Sequence, residues 1–166
     1  MDKRSVTCCF TGHRDIPRDQ SETITARTEL TIRKLMIVSG VKYFGVGGAL
    51  GFDTLAAQIL FRLRETDFPH IKVILVYPFD GFTSRWTDDQ KDTYAWMLSK
   101  YDKCVCMSPV PSKEAYLARD RHLVDKSSHC IAYCTRDTGG TAYTIRYAAN
   151  KGGVIIHNIA SDDAFC

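Results

Sequence analysis

Short apolar runs bounded by glycine or polar clusters recur along the chain at 6–10, 43–46, 72–77, 103–107, 130–134 and 154–156. Their successive residues, rather than alternate ones, are apolar. That pattern predicts strands buried on both faces.

Helical patterns fill the intervals. Pro17, and Asp19 at capping-box distance from Glu22, announce a first helix that runs through Ile32, Leu35 and Met36 and stops near Gly40. A second follows Gly51, with Leu55, Ile59 and Leu63 on one face and Ala56 and Leu60 beside them. A third begins near Thr87, whose hydroxyl has Gln90 at capping-box offset, and repeats Tyr94, Met97, Leu98 and Tyr101 at helical spacing. A fourth, between 112 and 126, is interrupted by Arg119, Asp120 and Arg121. The last, from Thr141 to Asn150, is expected to turn Ala142, Ile145 and Ala149 inward and to end before Gly152-Gly153.

Strand and helix in alternation with short connections predict an α/β chain. It should be a three-layer Rossmann-like fold, a mostly parallel sheet with helices on both faces, spanning 1–166 as one domain. In such sheets ligands bind beyond the carboxyl ends of the strands, so the loops after each strand are the places to look for function.

The first such loop is Thr11-Gly12-His13-Arg14. Gly12 permits a tight turn and close approach of a ligand, and Arg14 offers a planar guanidinium to phosphate or carboxylate; a solvated turn is the alternative. The second loop carries Gly45, Gly47, Gly48 and Gly51 straight into an amphipathic helix. Free N–H groups at a helix start unobstructed by side chains make an anion cradle. Asp53 is expected to act as the N-cap there, with acceptance of a hydrogen bond from a ligand hydroxyl as its other reading. The spacing is neither G-x-G-x-x-G nor a Walker A loop, so no cofactor is implied.

After the third strand, Pro78 and Phe79 either cover a base or plug the sheet edge. Arg119 and Arg121 either belong to a solvated charged face or neutralise a phosphate. Gly139-Gly140-Thr141 opens the last helix with a second glycine pair. There Thr141 can cap the helix or donate to a phosphate oxygen.

Composition narrows the picture. The net charge of +3 comes from 22 basic residues scattered among 19 acidic ones, so nucleic-acid binding is permitted but not indicated. The seven cysteines lack the doubled C-x-x-C spacing of a zinc site. Most fall in strand-like runs, which predicts buried, reduced, inert thiols, no metal, and a cytoplasmic protein. No signal-peptide core or membrane-length run is expected, hence no membrane partner.

Four segments occur in the order seen in the YpsA-like (DUF1273) branch of the SLOG superfamily, and the chain resembles that branch over nearly its whole length. They are Cys9-Phe10-Thr11-Gly12-His13-Arg14, Gly47-Gly48-Ala49-Leu50-Gly51-Phe52-Asp53, Arg119-Asp120-Arg121-His122-Leu123-Val124-Asp125 and Gly139-Gly140-Thr141-Ala142-Tyr143. The segment from Gly51 to Ala57 is similar to the Gly-Ile-Asp segment of the DprA DNA-processing proteins. The Gly139-Gly140-Thr141 turn is similar to that of the LOG phosphoribohydrolases.

The resemblance implies a Rossmann-like fold, a nucleotide or nucleotide-derivative pocket and a tendency to form dimers. It also exposes a departure: LOG enzymes carry a glutamate early in the helix after the Gly-Gly turn, whereas residues 141–146 here contain no acid. Asp53 or Asp137 would have to replace it.

Three functions follow as expectations. The first is non-catalytic binding or sensing of a small nucleotide or nucleotide-like ligand. The second is N-glycosidic hydrolysis of nucleoside 5′-monophosphates, and the third is DprA-like binding of single-stranded DNA.

Overall fold

Each apolar run becomes a strand in the computed structural model, which describes residues 2–161. The strands are β1 (Thr7–Gly12), β2 (Tyr43–Val46), β3 (Lys72–Tyr77), β4 (Lys103–Cys106), β5 (His129–Tyr133) and β6 (Ile155–Asn158). They form one sheet in the order β4-β3-β2-β1-β5-β6, and every pairing is parallel. Five helices connect them: α1 (Ser21–Val38), α2 (Phe52–Thr66), α3 (Asp88–Leu98), α4 (Lys113–Asp125) and α5 (Gly140–Lys151).

The order dictates the layers. The chain steps from β1 to β4 in one direction, and right-handed crossovers place α1, α2 and α3 on one face; the return to β5 places α4 and α5 on the other. The two cores reflect this division. Phe10, Phe44 and Val73 of the sheet pack with Ile32, Leu60 and Met97 of the first three helices. Cys9, Val76 and Cys130 point the other way, toward Leu123, Val124 and Ala148.

Local signals mostly act as their chemistry requires. Thr87 and Gln90 form a reciprocal capping box at the start of α3, with the Gln90 N–H 3.3 Å from Thr87 Oγ1 and the Thr87 N–H 3.0 Å from Gln90 Oε1. At α1 the expected box does not form. Asp19 lies inside a 3-10 turn, Arg18–Gln20, in which the Gln20 N–H bonds the Pro17 carbonyl, so α1 starts beyond its reach with no side-chain cap. In α5 the inward positions are Ala142 and Ala148, while Ala149 is exposed.

The cysteines divide by strand position. Cys8, Cys9 and Cys130 are buried in central strands, but Cys104 and Cys106 are exposed because β4 is an edge strand, and Cys134 is half-buried. Burial pushes the Cys8 thiol up, and a hydrogen bond with Cys9 together with burial pushes up that of Cys130, which keeps both protonated. Cys166 lies outside the described residues. Among the described residues no group of three or more His, Cys, Asp or Glu is placed to hold a metal, and no helix is long and apolar enough to cross a membrane.

Candidate functional site

Strand order reverses between β1 and β5, and a doubly wound sheet opens a crevice at that point. Here Thr11 pairs with Ala132 and Gly12 with Tyr133 at the carboxyl ends of the two strands. Above them lies a cavity of about 410 Å³ whose walls come from the loops after β1, β2 and β5 and from α4.

The β1 loop is braced rather than solvated. His13 is 6% exposed. Its backbone N–H bonds the Tyr133 carbonyl and its own carbonyl accepts the Phe52 N–H that opens α2. Its Nε2 accepts the Thr135 N–H at 2.8 Å and its Nδ1 lies 3.0 Å from the Arg136 guanidinium. Burial and Arg136 together push its pKa down, so the ring stays neutral and ties the β1 loop to the β5 loop. Arg14 remains exposed at the rim, its guanidinium 6.0 Å from the centre of the Tyr116 ring. Gly12 borders the cavity, but the position of a Cβ there is filled by the Phe52 ring; its bareness serves packing.

The glycine loop after β2 departs most from expectation. Gly51, with φ 77°, is the N-cap of α2, because a Cβ there would overlap the Arg14 backbone carbonyl. Asp53 therefore lies within the first turn of α2 instead of capping it. It is 7% exposed, and its Oδ2 accepts the Ala49 N–H at 3.2 Å. The carboxylate and the Arg119 side chain fill the space over Gly47, and Gly48 packs on Leu75. The chain's own acid thus occupies the first anion cradle foreseen in the sequence. Gly47, Gly48 and Gly51 do not line the crevice; Gly48 and Gly51 border a separate cavity between α2 and α3.

One oxygen of that acid has no partner. Asp53 borders the crevice, and its Oδ1 is buried without a hydrogen bond. Burial raises the Asp53 pKa to about 6, against the opposing pull of Arg119 and of the Ala49 N–H.

Helix α4 supplies three polar groups at i, i+3 and i+4: Tyr116, Arg119 and Asp120. Arg119 is 6% exposed, with Nη1 donating to the Gly47 carbonyl at 2.7 Å and Nε to Asp120 Oδ1 at 2.7 Å. It is no part of a solvated face. Burial raises the Asp120 pKa even though Arg119 pulls the other way. Arg121 stands on another face of the helix, bonded to the Tyr143 hydroxyl at 3.0 Å and to Glu114, so the expected arginine pair does not share the crevice. Pro78 and Phe79 also lie outside it; Pro78 is buried and Phe79 packs edge-on against Tyr116, which carries the aromatic surface of the site in its place.

The second cradle stays open. Gly139, with φ 92°, is the N-cap of α5, and Thr141 is a first-turn residue without a capping role. No side chain or backbone atom stands within 4 Å of where a Cβ would sit at Gly139 or Gly140. First-turn amides have no intrahelical acceptor. Those of α5 border the crevice together with the Thr141 side chain, Arg14 and Arg136.

Of the residues singled out from sequence, the fold gathers Thr11, Gly12, His13, Arg14, Asp53, Arg119, Gly139, Gly140 and Thr141 around one cavity. Tyr116, Asp120 and Arg136 join them unforeseen. The three-residue step back from Arg119 was the signal for Tyr116, the four-residue step on from Tyr116 that for Asp120, and adjacence to the Gly139 turn that for Arg136.

A parallel sheet wound in both directions from β1, with such a crevice at its switch point, defines a Rossmann-like α/β domain. Within that class the chain belongs to the YpsA family, described as the YspA SLOG family, whose model matches residues 12–163. A UPF0398 protein of Bacillus pumilus is 27% identical over 131 residues, 77% of this chain and 70% of the relative. Another UPF0398 protein, from Shouchella clausii, is 30% identical over 115 residues, 68% of this chain and 61% of the relative. The fold is also that of DNA processing protein A from Helicobacter pylori, solved for its single-stranded DNA binding mode. That match has a TM-score of 0.62 at 18% identity, over 92% of this chain and 65% of that one.

Proposed function

We propose that the chain binds a phosphorylated nucleotide or nucleotide-like small molecule in the β1–β5 crevice, as a binding or sensing module. The phosphate sits at the N-terminus of α5, where amide dipoles and two rim arginines favour negative charge. A hydroxyl or ring N–H of the ligand reaches Asp53. The observation that carries this reading is the unpartnered, buried Asp53 Oδ1, an acceptor that folding has removed from water without supplying a donor. Leaving such a group unmet costs about 1–3 kcal/mol, which a bound donor would recover.

The test is a thermal-shift panel of nucleoside 5′-monophosphates against the corresponding nucleosides. At saturation a monophosphate raises the melting temperature by about 5 °C or more, while its nucleoside does so far less. No stabilisation by any nucleotide contradicts the proposal.

Hydrolysis of the N-glycosidic bond is the second reading, and Asp53 favours it: a carboxyl with a pKa of about 6 is partly protonated near neutral pH and suits acid–base work. Release of free base from a monophosphate, abolished by Asp53→Asn, would establish it. Single-stranded DNA, the ligand of the Helicobacter protein, would meet the same rim. A track of several phosphates needs more cations than Arg14 and Arg136 supply, and DNA affinity would fall steeply with salt.

A further inference from the structure

The sheet is covered unequally. Because α1, α2 and α3 all cross on one face, the other face receives only α4 and α5, and α4 packs over β1 to β3. Beyond α4, toward the β4 edge, this face of the sheet is only partly covered. A groove of about 680 Å³ remains there, between α4, the strands and residues 2–4. Its floor is apolar: Tyr43, Ile74 and Val105 are only half-buried, with Val76 beneath them. This groove runs past the amino ends of the strands, away from the crevice.

The rim is basic. Lys72, Lys103, Lys126 and Lys3 are exposed along it, the last with its ammonium 5.6 Å from the centre of the Tyr43 ring. The rim carboxylates are already engaged. Asp102 accepts from Arg64 at 2.7 Å, from Lys72 of the rim itself at 3.3 Å and from the Val73 N–H at 2.9 Å, and Asp125 accepts from Lys151 at 2.6 Å and from the Tyr147 hydroxyl at 2.8 Å. Asp2 accepts the Arg4 N–H at 3.0 Å. Lys103 and Lys126 form no ion pair with a described carboxylate.

We infer that this groove docks an amphipathic helix of a partner protein, apolar on the face toward Ile74 and Val105 and rich in Asp and Glu on its flanks. The position is the layer site that the fold leaves unfilled beside α4, and helix-in-groove recognition needs an apolar floor with a complementary charged rim. A second copy of the chain does not suit it: an isologous contact would bring two rims carrying Lys3, Lys103 and Lys126 together. A nucleic-acid backbone suits it less, because the floor side chains Ile74, Val76 and Val105 have no ring on which a base could stack.

The probe is a fluorescein-labelled helix of about four turns with leucine on one face and glutamate on the flanks, compared with a lysine-flanked counterpart and with an oligothymidylate of equal charge. Fluorescence anisotropy should show saturable binding of the glutamate helix alone. The double variant Lys103→Glu, Lys126→Glu, both at exposed positions, should weaken it about tenfold or more while its thermal melt is unchanged. The inference is overturned if the glutamate helix fails to bind or binds the variant equally well. Tighter binding of the oligothymidylate, or a dimer in sedimentation that the same variant dissociates, overturns it as well. The nucleotide thermal shift is unaffected by either outcome, which separates this surface from the crevice.

Discussion

Asp53 and Arg119 both reach into the space over Gly47 and do not pair. A Cβ at that glycine would stand 2.9 Å from Asp53 Oδ2 and 3.1 Å from Arg119 Nη1, yet the guanidinium bonds the Gly47 carbonyl and Asp120 while the carboxylate takes the Ala49 N–H. The guanidinium is thus occupied elsewhere, and the acid keeps one buried oxygen without a hydrogen bond.

The first consequence concerns pH. Burial raises Asp53 to about 6, above the ordinary value of 3.8. Between those values the folded state holds a proton that the unfolded chain has lost, so stability falls as pH rises through the window and the full cost is present above it. Asp53→Asn removes that cost. It should stabilise the protein by about 3 kcal/mol near pH 8, with the gain shrinking to nothing by about pH 3, while nucleotide binding weakens. Urea unfolding across that range checks it; a gain that does not depend on pH would contradict the assignment.

Two glycines of positive φ separate strain from collision. Gly51→Ala meets the Arg14 carbonyl as well as an unfavourable backbone, and should cost about 3 kcal/mol or more. Gly139→Ala has open space and should cost only the backbone penalty, about 1–2 kcal/mol. Equal losses in denaturant titrations would show that the Arg14 contact is unimportant.

The two arginines flanking Asp120 are not equivalent. Arg119→Ala leaves the buried Gly47 carbonyl without its donor and the half-buried Asp120 carboxylate with one donor fewer, and should cost about 2–3 kcal/mol along with ligand affinity. Arg121→Ala breaks only partly exposed contacts and should change stability by about 0.5 kcal/mol or less, leaving binding intact. Comparable effects of the two on calorimetric affinity would refute the placement of Arg121 outside the crevice.

A histidine pair predicts an acid-sensitive edge. On β5 and β6, His129 Nδ1 lies 3.1 Å from His157 Nε2. Burial lowers both pKa values, and His129 and Lys34 further lower that of His157. Their neutral forms therefore contribute stability that is present above about pH 6.5 and is lost as pH falls through the lowered values. His157→Gln should flatten the fall in melting temperature between about pH 7 and pH 5; an unchanged slope would remove the pair from the account.

Legibility from sequence followed the range of the interactions involved. Buried parallel strands are continuous apolar runs, and a capping box is a contact three residues long, so β2, β3 and the start of α3 could be read directly. The switch point could not: it depends on β5 pairing with β1 across more than a hundred residues. Gly47-Gly48 and Gly139-Gly140 look alike as strings. Only tertiary packing shows that Asp53 and Arg119 fill the space over Gly47 while the space over Gly140 is empty. Arg119 and Arg121 likewise share a charged run, but a two-residue offset on a helix puts them on different faces. The exposed Cys104 and Cys106 were misread as buried because an apolar run does not tell an edge strand from a central one.

The most direct test of phosphate binding at α5 is Gly140→Asp, followed by titration calorimetry with a nucleoside monophosphate. Gly140 has open space around its Cβ position, and an acid at a helix N-terminus is favourable, so the variant should fold with an equal or higher melting temperature. Its carboxylate would sit where the phosphate belongs, and affinity should fall about tenfold or more relative to the parent chain. A Gly140→Asp protein that binds the monophosphate as tightly as the parent would contradict the account.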